Sequence, residues 1–200
     1  MKSILIGDNG ENLHGCHNDV ILFYNYFFKH NIPLFFYNNI SFDIISKNIK
    51  NKSTIYFYFS GHSMKNGKIK IDNNQYSSKY ILSFLNNHKK NINIVFIIDS
   101  CYSEKFITNT KYKYIKSVKY LLSSSHNQTS KEIIVDYNEK YYQIYKVKNI
   151  TSNKLVHSIF SYNLCKLLYK YDFNINKIKN HPIWNIINKK YQQQFIYFEN

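Results

Sequence analysis

The feature that most limits the fold of this sequence is a series of short apolar runs separated by segments of helical length. Two of the runs, "TIYFYF" and "INIVFII", are almost continuously apolar, which is typical of strands buried on both faces. Strand alternating with helix predicts an α/β fold with a mainly parallel sheet flanked by helices. We predict strands at residues 3–6, 34–37, 54–59, 93–98 and 117–122, and helices at residues 18–30, 41–50 and 76–89.

The rest of the chain gives weaker signals. "NGKIKIDNN" alternates apolar and polar residues between turn signals, which predicts part of a small hairpin. We also predict an exposed basic linker at residues 103–116, further edge strands within 132–148, helices near 153–169 and 182–193, and a last short strand in "FIYF". A chain of 200 residues has the length of one ordinary domain, so we expect a single unit spanning residues 1–200.

Composition narrows the possible partners. The formal net charge is +15, but every basic residue is lysine, and sequence-specific base recognition relies on arginine. "KYKYIKSVKY" could suit single-stranded nucleic acid, but we favour an amphipathic segment whose lysine stems cover apolar surface. We therefore expect no specific nucleic-acid partner. Three widely spaced cysteines and the lack of a signal peptide or membrane span favour a protein of the reducing cytoplasm with no membrane association. We also expect a monomer.

Two predicted strands end in chemically capable residues. "SGHS" follows the third strand and "DSCYS" follows the fourth, and ligands bind beyond the carboxyl ends of parallel strands. His62 and Cys101 can therefore lie at one sheet edge, where an imidazole could promote the thiolate and protonate a leaving group. The alternative is that Cys101 is a small buried apolar residue and His62 a hydrogen-bonded polar one.

The motifs around these residues carry a family resemblance. "SGHS" and "DSC" resemble the catalytic motifs of caspase-like cysteine proteases, and the metacaspase branch is the most similar. "ILIGDN", "LHGCHND", "SSSHNQTS" and "SIFSYNLCKLL" resemble other segments of that family, in the same order, over roughly residues 3 to 170. The resemblance implies a caspase-like three-layer fold with a central sheet of about six strands. Residues 1–102 would form the large-subunit portion and residues 117–200 the small-subunit portion, with no prodomain.

The resemblance also implies roles for individual residues. His62 would be the general acid/base and Cys101 the nucleophile, while the backbone N–H groups of Gly61 and Cys101 would form the oxyanion hole. Protein or peptide substrates would be cleaved after lysine or arginine, because two of the implied pocket residues are carboxylates, and the chain lacks the arginines with which caspases hold aspartate. The implied pocket residues are Cys16, Asp19, Ser60 and Asp99.

No cofactor or metal is expected. Between His62 and Cys101 the only carboxylates are Asp72 and Asp99, too few for the calcium site of many metacaspases, so we expect calcium-independent activity. Ser63, Tyr102 and Glu104 differ from the usual metacaspase residues, and Glu104 could crowd or acidify the pocket. A catalytically inactive caspase-like regulator and a cationic binding module remain open as alternatives.

Overall fold

The computed structural model of the chain describes residues 2–7, 13–32, 34–36, 49–71, 74–137, 139–141 and 154–200. Most of the predicted helix at 41–50 lies outside these ranges, as do the predicted edge-strand residues 142–148. Asp72 also lies outside them.

A six-stranded sheet forms the centre of the molecule. Its strands are β1 (Lys2–Gly7), β2 (Leu34–Phe36), β3 (Ser53–Ser60), β6 (Ile92–Asp99), β7 (Ile115–Leu122) and β10 (Ile196–Glu199). They lie in the order β10-β7-β6-β3-β1-β2. Five of them run parallel, and β10 pairs antiparallel with β7 at one edge. This sheet confirms the predicted α/β class and its mainly parallel strand direction.

Two small antiparallel pairs lie beside the main sheet. One is the predicted hairpin, β4 (Ile69–Ile71) with β5 (Asn74–Tyr76), and the other joins β8 (Glu132–Asp136) to β9 (Lys154–Ser158). The described helices are α1 (Cys16–Lys29), α2 (Ser78–Asn87), α3 (Ile159–Tyr171), α4 (Ile175–Lys179) and α5 (Ile183–Tyr191), with 3₁₀ turns at Ser103–Phe106 and Glu139–Tyr141.

Side chains that alternate along the strands build two cores, one on each face of the sheet. Along β3, Tyr56 and Tyr58 pack toward α1 and α3, whereas Phe57 and Phe59 pack toward α2. Burial on both faces explains why the central strands are almost wholly apolar. The result is a helix, sheet, helix arrangement of three layers, which is the arrangement that the resemblance implied.

Two predicted segments differ from the structure, and one helix was not predicted. Residues 154–158 form β9 and not helix, because Leu155 and His157 alternate into the interior and the strand pairs with β8. The helix predicted from residue 76 starts at Ser78, after Ser77 accepts a capping hydrogen bond from the Tyr80 N–H. The short helix α4 was not predicted.

The segment 103–116 is not uniformly exposed. Ser103 and Phe106 are buried, and the Tyr112 hydroxyl donates to the Lys79 carbonyl oxygen, which fastens the segment to α2. Its lysines remain at the surface. Within the described ranges, no helix has the combination of length and apolar character that crossing a membrane requires.

Candidate active site

The loops that carry His62 and Cys101 leave the sheet side by side. They follow β3 and β6, which are parallel neighbours whose last paired residues are Ser60 and Asp99. His62 and Cys101 are each partly exposed, and both line one cleft of about 80 Å³. The cleft also contains every other predicted site residue, namely Cys16, Asp19, Ser60, Gly61 and Asp99.

One predicted role needs correction. The Gly61 N–H donates to the Asp99 carbonyl oxygen at 3.1 Å and continues the ladder between the two strands. It is therefore engaged and is not the free donor that an oxyanion hole requires. The Cys101 N–H, the other predicted donor, is not affected by this finding.

The histidine loop is held from two sides. Ser63 pairs with Ile69 in an isolated antiparallel bridge, with hydrogen bonds from the Lys70 N–H to the His62 carbonyl oxygen and from the Met64 N–H to Lys68. These two hydrogen bonds are made by the residues on either side of Ser63, so the Ser63 N–H takes no part in the hydrogen bonding of this bridge. The Ser63 hydroxyl donates to the Cys101 carbonyl oxygen and joins the two loops directly.

The turn after Cys101 is braced by buried serines. Tyr102 adopts a left-handed conformation with φ of 55°, which is unfavourable for a side chain of this size. Its N–H donates to the Gln128 carbonyl oxygen at 2.9 Å. Ser103 and Ser124 then exchange hydrogen bonds through their hydroxyl and backbone groups, and both are fully buried.

Glu104 does not lie in the cleft. Its carboxylate accepts the His126 N–H at 2.8 Å and lies 3.0 Å from the Nδ1 atom of the same residue. The expectation that Glu104 could crowd or acidify the pocket is therefore wrong. The side chain instead ties the turn after Cys101 to the loop after β7.

Asp19 lies in the first turn of α1 and is buried within the cleft. Its carboxylate accepts the Ser60 hydroxyl at 3.0 Å and the Ser158 N–H, and it lies 2.8 Å from Nδ1 of His157. Burial raises the pKa of Asp19, and nearby Asp99 raises it further. Burial also lowers the pKa of His157, which disfavours a charge on this imidazole.

Asp99 is the second buried carboxylate of the cleft. It accepts the Ser130 hydroxyl at 2.6 Å and both the N–H and hydroxyl of Ser161. Since the Ser161 hydroxyl donates to Asp99, the Tyr58 hydroxyl is the donor in the 2.8 Å bond between Tyr58 and Ser161. Burial raises the pKa of Asp99, and the serine hydroxyls around it oppose that increase.

Glu132, at the start of β8, adds a third carboxylate to the lining. It accepts the backbone N–H groups of His14 and Gly15, at 3.0 and 2.6 Å, and so fixes the loop that leads into α1. A Cβ at Gly15 would lie 2.9 Å from this carboxylate and 3.0 Å from the backbone of His157. Only glycine fits there without displacing its neighbours.

The three thiols are not equivalent. Cys16 and Cys165 are buried, and burial raises the pKa of each well above the ordinary value for a thiol. A buried, protonated thiol is a poor nucleophile. Cys101 is the partly exposed cysteine of the three.

Four residues near the cleft were missed in the sequence: Ser130, Glu132, His157 and Ser158. Ser130 is the last residue of "SSSHNQTS", the loop after the fifth predicted strand, and Glu132 follows two residues later, so this loop already pointed to this sheet edge. His157 and Ser158 gave no such signal, because their segment was predicted to be helical. In the part of the chain that the structure describes, no group of three or more His, Cys, Asp or Glu residues is arranged to hold a metal ion.

Comparison with known families agrees with this architecture. A family model described as "Caspase domain" matches residues 2–181, which is most of the chain. The chain belongs to the caspase-domain family. This assignment confirms the resemblance to caspase-like cysteine proteases and supports cysteine peptidase activity, and the matched range contains every residue that lines the cleft. No curated protein matches the chain.

Proposed function

We propose that this caspase-domain protein is a cysteine endopeptidase of the metacaspase type that cleaves after lysine or arginine without calcium. The observation that carries the proposal is the cleft itself, in which the two buried carboxylates Asp19 and Asp99 lie with His62 and Cys101. A cationic side chain is the natural partner of two carboxylates removed from water.

In the proposed reaction, the Cys101 sulfur attacks the peptide carbonyl carbon and its proton passes to His62. The tetrahedral intermediate collapses as the C–N bond breaks, and His62 gives the proton to the leaving amine. Water, activated by the same imidazole, then hydrolyses the thioester and restores the thiol. Each half-reaction balances without a cofactor.

The oxyanion requires donors that are free when the intermediate forms. The Cys101 N–H is one donor in the proposal. For the second donor we propose the Ser63 N–H in place of the Gly61 N–H. The Gly61 N–H already donates to the Asp99 carbonyl oxygen, whereas the Ser63 N–H does not take part in the hydrogen bonds of the bridge to Ile69. The bond from the Ser63 hydroxyl to the Cys101 carbonyl keeps both loops in register during this step.

The pocket chemistry supports a basic residue before the cleaved bond. An aspartate at that position would meet Asp19, Asp99 and Glu132 and would be repelled. A lysine or arginine side chain would instead neutralise Asp19 and Asp99. The raised pKa values of these two carboxyl groups show that their negative charge is unfavourable without such a partner.

Fluorogenic peptides that differ only in Arg, Lys or Asp before the cleaved bond test the proposal, each with and without calcium. We expect cleavage of the Arg and Lys peptides, little cleavage of the Asp peptide, and no stimulation by calcium. Cys101→Ala and His62→Ala should abolish turnover. His30→Ala is the matched control, because His30 is an exposed histidine paired with Asp172 away from the cleft. No cleavage by folded wild-type protein would favour the inactive regulator.

A further inference from the structure

A second cavity lies outside the catalytic cleft. It is lined by residues of α3, of the 3₁₀ turn Glu139–Tyr141 and of the segment that leads into α5, and its volume is about 370 Å³. That volume falls within the range of roughly 300–1,000 Å³ typical of small-molecule sites. None of its lining residues also lines the catalytic cleft.

The polar part of the lining is cationic. Lys140, Lys166 and Lys170 are exposed at the cavity, and among the described residues that line it none is acidic. The Lys29 ammonium adds a further charge nearby, 5.5 Å from the centre of the Tyr169 ring. Several ammonium groups around one concave site attract an anion with more than one negative charge.

His181 and Asn163 add further polar groups. His181 accepts the Ile183 N–H at Nδ1, so the neutral ring carries its proton on Nε2. Asn163 donates its side-chain N–H to the Ile159 carbonyl oxygen within α3, which fixes the orientation of that amide. Such ordered groups give a ligand a defined orientation at small entropic cost.

The remaining wall is apolar or aromatic. Tyr141 and Tyr169 have ring centres 5.2 Å apart, and Leu167 and Ile183 complete this side. Burial raises the pKa of both tyrosine hydroxyls, so these groups remain protonated and do not add negative charge to the site. A purely inorganic anion would leave this wall unused.

We propose that this cavity binds a small phosphorylated molecule that also has an aromatic or other apolar part, a description that fits a nucleoside phosphate. The lysines would hold the phosphate oxygens, and the tyrosine side would contact the ring. Because the cavity and the cleft have no lining residue in common, such a ligand would not compete with a peptide substrate. The inference is independent of the proposed peptidase activity.

Calorimetric titration with ATP at roughly 0.15 M salt tests the inference, since screening at that ionic strength removes weak surface attraction. We expect one saturable site. Adenosine and tripolyphosphate should each bind about tenfold more weakly than ATP, because each lacks one half of the recognised chemistry. Tripolyphosphate binding as tight as ATP, or tighter binding of a phosphopeptide, would overturn the assignment to this ligand class.

Charge reversal locates the site. The double variant Lys166→Glu, Lys170→Glu should weaken ATP binding by about tenfold or more. The double variant Lys189→Glu, Lys190→Glu on α5 is the matched control, because it makes the same change in net charge outside the cavity. The local settings also match, since Lys170 and Lys190 each lie over the ring of the tyrosine that follows them in the sequence. Equal weakening in both double variants would mean attraction by net charge alone and would overturn the proposal. Lys166→Gln, Lys170→Gln provides a milder pair if the first variant does not fold.

Discussion

Ser60 and Asp99 face each other at the last register position that β3 and β6 share. His62 and Cys101 both stand two residues beyond this pair, so the strand register alone brings them to the same level of the sheet edge. Gly61 continues the ladder for one more hydrogen bond, after which the two loops separate around the cleft. The arrangement depends on backbone pairing, and the strands that fix it are fully packed on both faces.

Alkylation should distinguish the three cysteines. We expect iodoacetamide to modify the native protein at Cys101 only, because Cys16 and Cys165 are 4% and 1% exposed and burial raises their pKa values. Mass spectrometry after a short reaction should show one added group in wild type and none in Cys101→Ala. Unfolding in denaturant should expose all three thiols. Modification of Cys16 in the native protein at a rate comparable with that of Cys101 would contradict the burial of Cys16 in the pocket.

Neutralising a pocket carboxylate should reduce cleavage of basic peptides. Asp99→Asn leaves the size of the side chain almost unchanged but removes the charge, so kcat/KM for an Arg peptide should fall roughly thirtyfold or more. The same assay on Asp136→Asn gives the control, since Asp136 is exposed on β8. An equal loss in both variants would assign the effect to net charge and not to the pocket.

The pocket also predicts a pH dependence of substrate binding. The pKa values of Asp19 and Asp99 are raised, so as the pH falls these groups bind protons earlier than ordinary carboxyls and lose their attraction for a cationic side chain. KM for an Arg peptide should therefore rise on acidification, with a midpoint above the usual carboxyl value of about 4.

The same titration separates the two carboxylates. Asp99 raises the pKa of Asp19 by repulsion, so in Asp99→Asn the midpoint should move to lower pH. KM measured across pH for wild type and variant gives both midpoints. A peptide with a neutral residue before the cleaved bond should show little change in KM, and a parallel change would place the titrating group elsewhere.

The pair of Ser103 and Ser124, behind the turn that follows Cys101, should contribute to stability. Ser103→Ala removes a hydroxyl that both donates to and accepts from the Ser124 backbone, and it leaves those buried groups without their partner. The free energy of unfolding should fall by about 1–3 kcal/mol. Ser83→Ala, an exposed position on α2, should change it little. Urea denaturation of both variants measures the difference, and similar values for the two would contradict the bracing role.

The parts of the molecule that follow local patterns were predictable from sequence. The central strands have strong apolar runs, and the rule that ligands bind at the carboxyl ends of parallel strands placed His62 and Cys101 at one edge. The acidic residues of "GCHND" and "IDSC" were assigned to the pocket through the family resemblance of these motifs. These features depend on residues that are adjacent in the sequence, so a local pattern is enough to find them.

What sequence reasoning missed depends on pairing between distant segments. Residues 154–158 become β9 only because β8 offers a partner, and a five-residue strand before a strong helical pattern is easily read as helix. His157 reaches Asp19 across 138 positions of sequence, and Glu132 reaches Gly15 across 117. The role of the Gly61 N–H was misassigned because a hydrogen-bond partner is not visible in a motif.

The helix α3 also limits how this protein can change during evolution. Ser161, in its first turn, donates two hydrogen bonds to Asp99, while Lys166 and Lys170, toward its other end, line the second cavity. A substitution that shifts or rotates this 13-residue rod would alter both ends at once. With the two functions proposed above, its residues would be subject to two selective pressures, and we expect adaptive change in either site to occur more readily in the loops around α3 than in the helix.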